Sequence, residues 1–264
     1  MDNPAKTSTR IDPIRLNHFK PLEQSEAAAS FIFYLAGAIS FAPLLLDSKV
    51  HPRIFATLLT VFVILVISNF LIGMVNRLYF MPRAEDARRK EFLSNAYQFD
   101  LIHERTSGYY NNSETDPIRR IGLSTLENLF FSKNILRLMA PAARAKALIY
   151  MLAWLSLAIW RETPLGWLPV AAQVIFSEEL ISRWLRLEWA RSRAEILYES
   201  MHRLFQINPD KDKLAAYSIA TFVDYEAGKS LGGILLSKKI FDKTNKHLTS
   251  EWEQIKTGLP LSTQ

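Results

Sequence analysis

Two long stretches without a charged side chain dominate the first third of the chain. Ala27 to Leu46 runs for 20 residues without Asp, Glu, Lys or Arg, and Ile54 to Asn76 for 23 more before Arg77. A helix needs about 20 apolar residues to cross a hydrocarbon core. The second run is rich in Val, Ile, Leu and Phe, but a single strand of that length would far exceed the usual 3–10 residues or so. The polar break between the runs, Asp47 to Arg53, is short enough to turn one helix back on the other. These constraints predict a transmembrane helical hairpin over residues 27–80.

Composition then explains itself as a mixture. Hydrophobic residues make up 49% and charged residues 22%, so apolar and strongly polar segments lie side by side. The chain has no cysteine, which excludes disulfides, thiol chemistry and zinc–thiolate sites. Met1 to Glu26 is polar, mixed in charge and punctuated by Pro4, Pro13 and Pro21. It reads as a cytosolic arm with little fixed structure, too long and too acidic for the basic start of a signal peptide.

A second hairpin is predicted over residues 144–182. Ala145 to Trp160 is short for a span, but Arg144 and Lys146 can snorkel and extend it. Arg161 to Pro164 forms a turn, and Leu165 to Ile181 returns, interrupted by Pro169 and Gln173. Trp160 and Trp167 flank the turn at the place of an interfacial aromatic belt. A pair of buried helices or a re-entrant hairpin is the rival arrangement. The expected fold is an all-α membrane protein with four transmembrane helices in two hairpins. Its helical cytosolic region is built from residues 81–143 and the tail, 183–264.

Basic residues set the topology. The 81–143 stretch carries nine Lys and Arg, including Arg83, Arg88, Arg89, Lys90, Arg119 and Arg120. Arg183, Arg186, Arg191 and Arg193 follow the last span, whereas the opposite side holds only Lys49, Arg53 and Arg161. The positive-inside rule puts both termini and the centre in the cytosol of a multi-pass protein. The net charge of +6 is then largely topological, and no nucleic-acid polymer is needed to explain it.

The polar segments read as helices. Leu180, Trp184, Leu187, Arg191, Ala194, Tyr198, Met201 and Phe205 recur at heptad spacing, which fits either a seam with another chain or packing within one. Asn208-Pro209 reads as a cap and first-turn proline restarting a helix toward Tyr225. Ser250-Glu251-Trp252-Glu253 reads as a capping box opening a short last helix. Arg88 to Ile102 and Ile118 to Met139 are two further helices around a loop, Thr106 to Pro117.

Catalytic motifs are weak. Gly228-Lys229-Ser230 resembles the end of a phosphate loop, but Val223 stands where the other glycine is needed and the approach is helical. His18, His51, His103, His202 and His247 lack metal-ligand spacing, so neither a metal site nor an enzyme is expected. Glu178 and Glu179 at the inner end of the fourth span form a pore-mouth ring, or sit at the interface with Glu179 paired to Arg183. Ser68, Asn69 and Asn76 line a conduit or hydrogen-bond a neighbouring helix. Tyr109, Tyr110, Asn111 and Asn112 combine stacking faces with amide groups, and Arg105, Arg119 and Arg120 stand near enough in sequence to hold a phosphate. The same tyrosines could instead plug the loop onto the helices while the asparagines cap turns.

Arg88-Arg89-Lys90-Glu91-Phe92, continuing through Ser94-Asn95-Ala96 to Ser107-Gly108-Tyr109-Tyr110-Asn111-Asn112, resembles the SMODS-associated four-transmembrane effector family. Glu127-Asn128-Leu129-Phe130-Phe131-Ser132, Tyr225-Glu226, Lys239-Ile240-Phe241 and Glu251-Trp252-Glu253 share the resemblance, which runs from the first hairpin to about Lys256. It implies an effector of cyclic-oligonucleotide antiphage signalling in the bacterial inner membrane. A partner nucleotidyltransferase would make a cyclic nucleotide, and a homo-oligomer of the effector would permeabilise the bilayer and abort infection. It brings no catalytic residue and no cofactor beyond that ligand. A small housekeeping transporter or channel subunit, or a scaffold for a soluble partner, are the other expectations.

Overall fold

The computed structural model describes residues 11–45, 49–107, 109, 110, 112, 114–159 and 178–260. Among them the chain is helical throughout, and strand pairing is confined to one antiparallel bridge between Ile11 and Ser107. A π-helical turn, Arg15–Phe19, leads into α1, Lys20–Leu45. The first long helix after the break begins as α2, Pro52–Val75, with Pro52 in its first turn where a missing N–H costs nothing. It passes through a second π turn, Asn76–Phe80, and continues as α3, Met81–Tyr97. Then come α4, Pro117–Ile159, a third π turn, Glu178–Ser182, and α5, Arg183–Ile207. Two last helices, α6, Lys211–Gly232, and α7, Lys238–Thr257, complete the chain.

The core belongs to the polar half of the sequence. Helices α4, α5 and α6 pack against one another, and α7 closes over α4. Leu126, Leu129, Phe130, Leu197, Met201, Phe205, Leu214, Leu248 and Trp252 form one buried cluster. Gly122 sits where α4 meets both partners: a Cβ there would lie 2.6 Å from Ser218 Oγ and 3.0 Å from the Met201 side chain. Ser132 and Tyr225 touch ten residues further along α4, at 2.9 Å, so α4 and α6 run parallel. Helix α5 runs the other way, with Phe205 near Gly122 and Glu188 bound to Arg144.

The α1–α2 pair is built differently. No residue of α2 is buried, and Ile64, Ile67, Phe70 and Leu71 stand more than half exposed. The helix Pro52–Tyr97 is long and apolar enough to cross a membrane, with a mean hydropathy of 2.6 over its most apolar stretch. Among the described residues it alone meets that test. The C-terminal part of α4 carries the same kind of surface, with Leu148, Ile149, Leu152 and Ile159 exposed. The remaining sequence of the second hairpin, from Trp160 through Trp167 to Ser177, lies outside the described residues.

Several sequence expectations are corrected. The N-terminal arm is ordered from Ile11: Ile14 and Leu22 are fully buried, and helix begins at Pro13. Pro13 opens that helix, where proline is tolerated, and Pro21 follows a widened turn in which the Lys20 amide reaches back five residues to Arg15. Ile118–Met139 and the third apolar run are one helix, because Pro141 is accommodated within α4 rather than ending it. Helix α3 stops at Tyr97, followed by Gln98 in the left-handed region. Asn208 closes α5 with φ of 46°, and it is Asp210 that caps α6, its Oδ1 accepting from the Lys213 amide at 2.9 Å. Helix α7 starts at Ser237, not Ser250, which lies well inside it. The heptad positions Leu187, Ala194, Tyr198, Met201 and Phe205 are spent on packing within the chain.

Candidate functional site

Where α3, α4, α5, α6 and α7 converge with the N-terminal arm, they enclose a cavity of about 560 Å³. Its size suits a small-molecule ligand. Its inner wall is apolar, from Ile135, Leu136, Ala194 and Leu197. Aromatic faces surround it: Phe19 from the arm, Tyr109 from the loop, Phe131, Tyr225 and Phe241 from the helices.

Charge is distributed around the rim in matched pairs. Lys229 Nζ lies 2.8 Å from Glu85 on α3 and 2.8 Å from Glu226 on its own helix. Burial works against its charge, but Glu85, Tyr225 and Glu226 together outweigh that and raise its pKa. Arg15 holds Glu23 at 2.8 Å, and Lys238 holds Asp242 at 2.6 Å. Burial pushes the Tyr225 phenol up to about 12, so its hydroxyl stays protonated and shares a hydrogen bond with Ser132. The Gly228-Lys229-Ser230 triplet is thus helical and cannot wrap a phosphate, yet its lysine borders the cavity.

Arg88 is the most confined cation of the rim. Its guanidinium lies over the Tyr109 ring at 4.4 Å and beside Phe19 at 5.5 Å. Its Nη2 donates to both oxygens of Asp12, at 3.0 and 2.8 Å. Burial opposes the charge here too, but Tyr109 and Asp12 more than compensate, and the pKa is raised.

The sequence-predicted recognition residues divide. Tyr109 faces the cavity. Tyr110 turns inward beside it, ring centroids 4.8 Å apart, and donates to the buried carboxylate of Glu91 at 2.8 Å. Burial first, then Glu91, raises the Tyr110 pKa well above its ordinary value. Thr106 donates to the other Glu91 oxygen, so this carboxylate pins the loop. Asn112 donates to Ser124 Oγ, and Asn111 lies outside the described residues. The three arginines do not gather around one anion. Arg105 pairs with Asp100, Arg119 reaches Glu114 and the Pro260 carbonyl, and Arg120 donates to the Asn95 carbonyl at 3.0 Å. Arg105 thus ties the loop to itself, Arg119 links α4 to the loop and the C-terminal end, and Arg120 links α4 to α3.

The polar residues of the apolar helices stand apart from the cavity. Ser68 and Asn69 are half-buried along the α1–α2 contact and Asn76 is buried in the second π turn. The side-chain oxygens of Asn69 and Asn76 are enclosed without a hydrogen-bond partner among the described residues. Glu178 and Glu179 lie in the third π turn, and their side chains are outside what the structure describes. Arg183, just after them, reaches Glu26 on α1 at 3.3 Å.

Arg88, Asp12, Lys229 and Glu85 escaped a reading based on adjacency, because their contacts join residues 76 and 144 positions apart. The signal that did find part of this site was the set of short motifs: Arg88, Glu127, Asn128, Phe131, Ser132, Tyr225 and Phe241 all border the cavity. No known protein family, curated protein or solved structure matches the chain.

Proposed function

We propose that the chain is a ligand-operated membrane effector of bacterial antiphage defence. On sensing a cyclic nucleotide, or an activated partner, it oligomerises and permeabilises the inner membrane, and the cell dies before phage mature. The observation that carries this reading is the junction between cavity and apolar helices. Two of the π turns, Arg15–Phe19 and Asn76–Phe80, sit where a helix passes between the packed polar half and the apolar half, and a third, Glu178–Ser182, opens into α5. Such widened turns recur at functional sites and hinges. Two of the three elements that leave the cavity walls, the arm into α1 and α3 back into α2, enter the hairpin directly. A ligand that rearranges the rim would therefore bias the helices without any intervening linker.

Four spans complete the proposal. The exposed apolar surface of α4 beyond Lys146, and a following sequence whose only charges before Glu178 are Arg161 and Glu162, support a second hairpin. Four helices enclose little lumen, so permeabilisation requires several copies. Asn69 and Asn76 supply polar groups that a pore assembled from α2 would expose, and a housekeeping channel subunit would use the same groups.

Dependence on a ligand separates the two. Membrane potential is followed in cells expressing the chain with and without a co-expressed cyclic-oligonucleotide synthase. Depolarisation only with both is expected. Depolarisation without any synthase selects the channel subunit. An intact potential with every synthase, despite confirmed insertion, overturns the effector reading.

A further inference from the structure

Arginine recognises oxyanions best through a fork, two parallel N–H groups meeting two oxygens. At Arg88 that fork is half used. One terminal nitrogen, Nη2, serves both oxygens of Asp12, while the other, Nη1, is buried with no hydrogen-bond partner among the described residues. The plane of the guanidinium is fixed by Tyr109 at 4.4 Å, so its donor edge is held rather than swinging with solvent. Arg88, Asp12 and Tyr109 all border the cavity. A buried donor left idle is costly, and an incoming acceptor would recover that cost.

We infer that Arg88 is the anion-binding group of the cavity and that Asp12 is its resident surrogate, displaced when a phosphate-bearing ligand enters. A phosphodiester or phosphomonoester offers oxygens to both terminal nitrogens, and its neighbouring base or ribose would lie against Tyr109. Asp12 belongs to the arm, where its Oδ1 also accepts from the Arg15 amide at 3.0 Å, and the arm is tied to the loop by the Ile11–Ser107 bridge and the bonds of Asn17 and His18 to Glu104. Losing the Asp12 contact weakens the hold on a segment that runs straight into α1. The site thereby couples occupancy to the first apolar helix. This inference deepens the ligand-operated reading and rests on it for its consequence, though not for the binding itself.

The test uses the full chain in lipid nanodiscs. The absence of cysteine allows nitroxides at L16C on the arm and K243C on α7 without background labelling. Inorganic pyrophosphate and cyclic di-AMP are the probes, and binding of each is measured alongside the arm-to-α7 distance distribution. The unsubstituted pair should show one narrow distance that broadens and lengthens with either probe. Asp12→Asn, close in shape, removes the competing charge. It should release the arm without a probe and bind pyrophosphate about tenfold tighter. Arg88→Ala should bind neither probe. If Asp12 were only a structural counterion, D12N would lower thermal stability and leave anion affinity unchanged or weaker, and that result overturns the inference. Failure of both proteins to bind either probe overturns it as well. Tighter binding by D12N in a chain that never depolarises cells would keep the subsite and remove the effector reading. Depolarisation with unchanged D12N affinity would do the reverse.

Discussion

Helix α4 lives in two environments. In its first half Leu123, Leu126 and Leu129 are at most 1% exposed, within the cluster shared with α5, α6 and α7. In its second half Leu148, Ile149, Leu152 and Ile159 are 53–71% exposed. The residue types are the same, and the backbone runs from one half into the other through Pro141. The difference teaches what apolar side chains do in each setting. In the first half they exclude water by packing on one another, so shape matters and voids are costly. In the second they stand exposed among the described residues, a surface that a lipid solvent would accept because being apolar suffices there and a strict jigsaw is unnecessary.

The comparison can be broken from either end. Trp252 is fully buried against Phe130 in the packed half. Trp252→Ala should cost about 3–5 kcal/mol and remove most of the cooperative unfolding transition of the packed helices. An unchanged midpoint in denaturant would mean that this cluster is not the core. The other end is tested by charge. Leu152→Asp would be nearly neutral on a water-facing helix but should cost about 2.5–3.5 kcal/mol of membrane insertion near a bilayer centre. A glycosylation-mapping assay reads the inserted fraction, and no loss would return the second half of α4 to water.

Finer effects sharpen it. Tyr110→Phe leaves the buried Glu91 short of one donor, so about 1–3 kcal/mol of stability should go, with membrane insertion untouched. Tyr110→Ala adds lost contact with Phe92 and should silence depolarisation in a chain that still inserts. Normal signalling by that variant would remove this loop from the sensor.

The smallest effect concerns the start of α4. Asp116 Oδ1 accepts from the Ile118 and Arg119 amides at 3.0 Å, so Asp116→Ala should cost about 1 kcal/mol. The Lys211 contact first, then the Arg119 amide, hold the Asp116 pKa below its ordinary value. Its stabilisation is therefore full above the unfolded carboxyl's pKa and is lost as pH falls through the lower folded value. Because the carboxylate is only partly buried and solvent screens it, the acid loss should be slight and should vanish in D116A, as thermal melts across pH would show.

Helix identity was legible because long periodic or uncharged segments leave few alternatives, while boundaries were not. Ser250-Glu251-Trp252-Glu253 has the local spelling of a capping box, but Leu248 and Trp252 were needed on a continuous face against α4, and that packing carried α7 back to Ser237. Prolines misled in the same way. Pro13 and Pro21 read as marks of an arm with little fixed structure, yet each is tolerated, one in a first turn and the other after a widened turn. Of the site, Tyr109 and Tyr110 were legible as aromatic groups in a loop. Their division of labour was not, because it depends on Glu91 being buried on one side and Arg88 standing on the other.

By itself the sequence determined an all-helical chain with one stretch fit to cross a bilayer, since charge-free runs and helical spacing act over neighbouring residues and need no partner. The tertiary structure decided the cavity, the pairing of Arg88 with Asp12 and of Lys229 with Glu85, and the split character of α4. Those depend on which distant helices meet, and a linear pattern of residues does not encode the direction in which each charge must find its counterion.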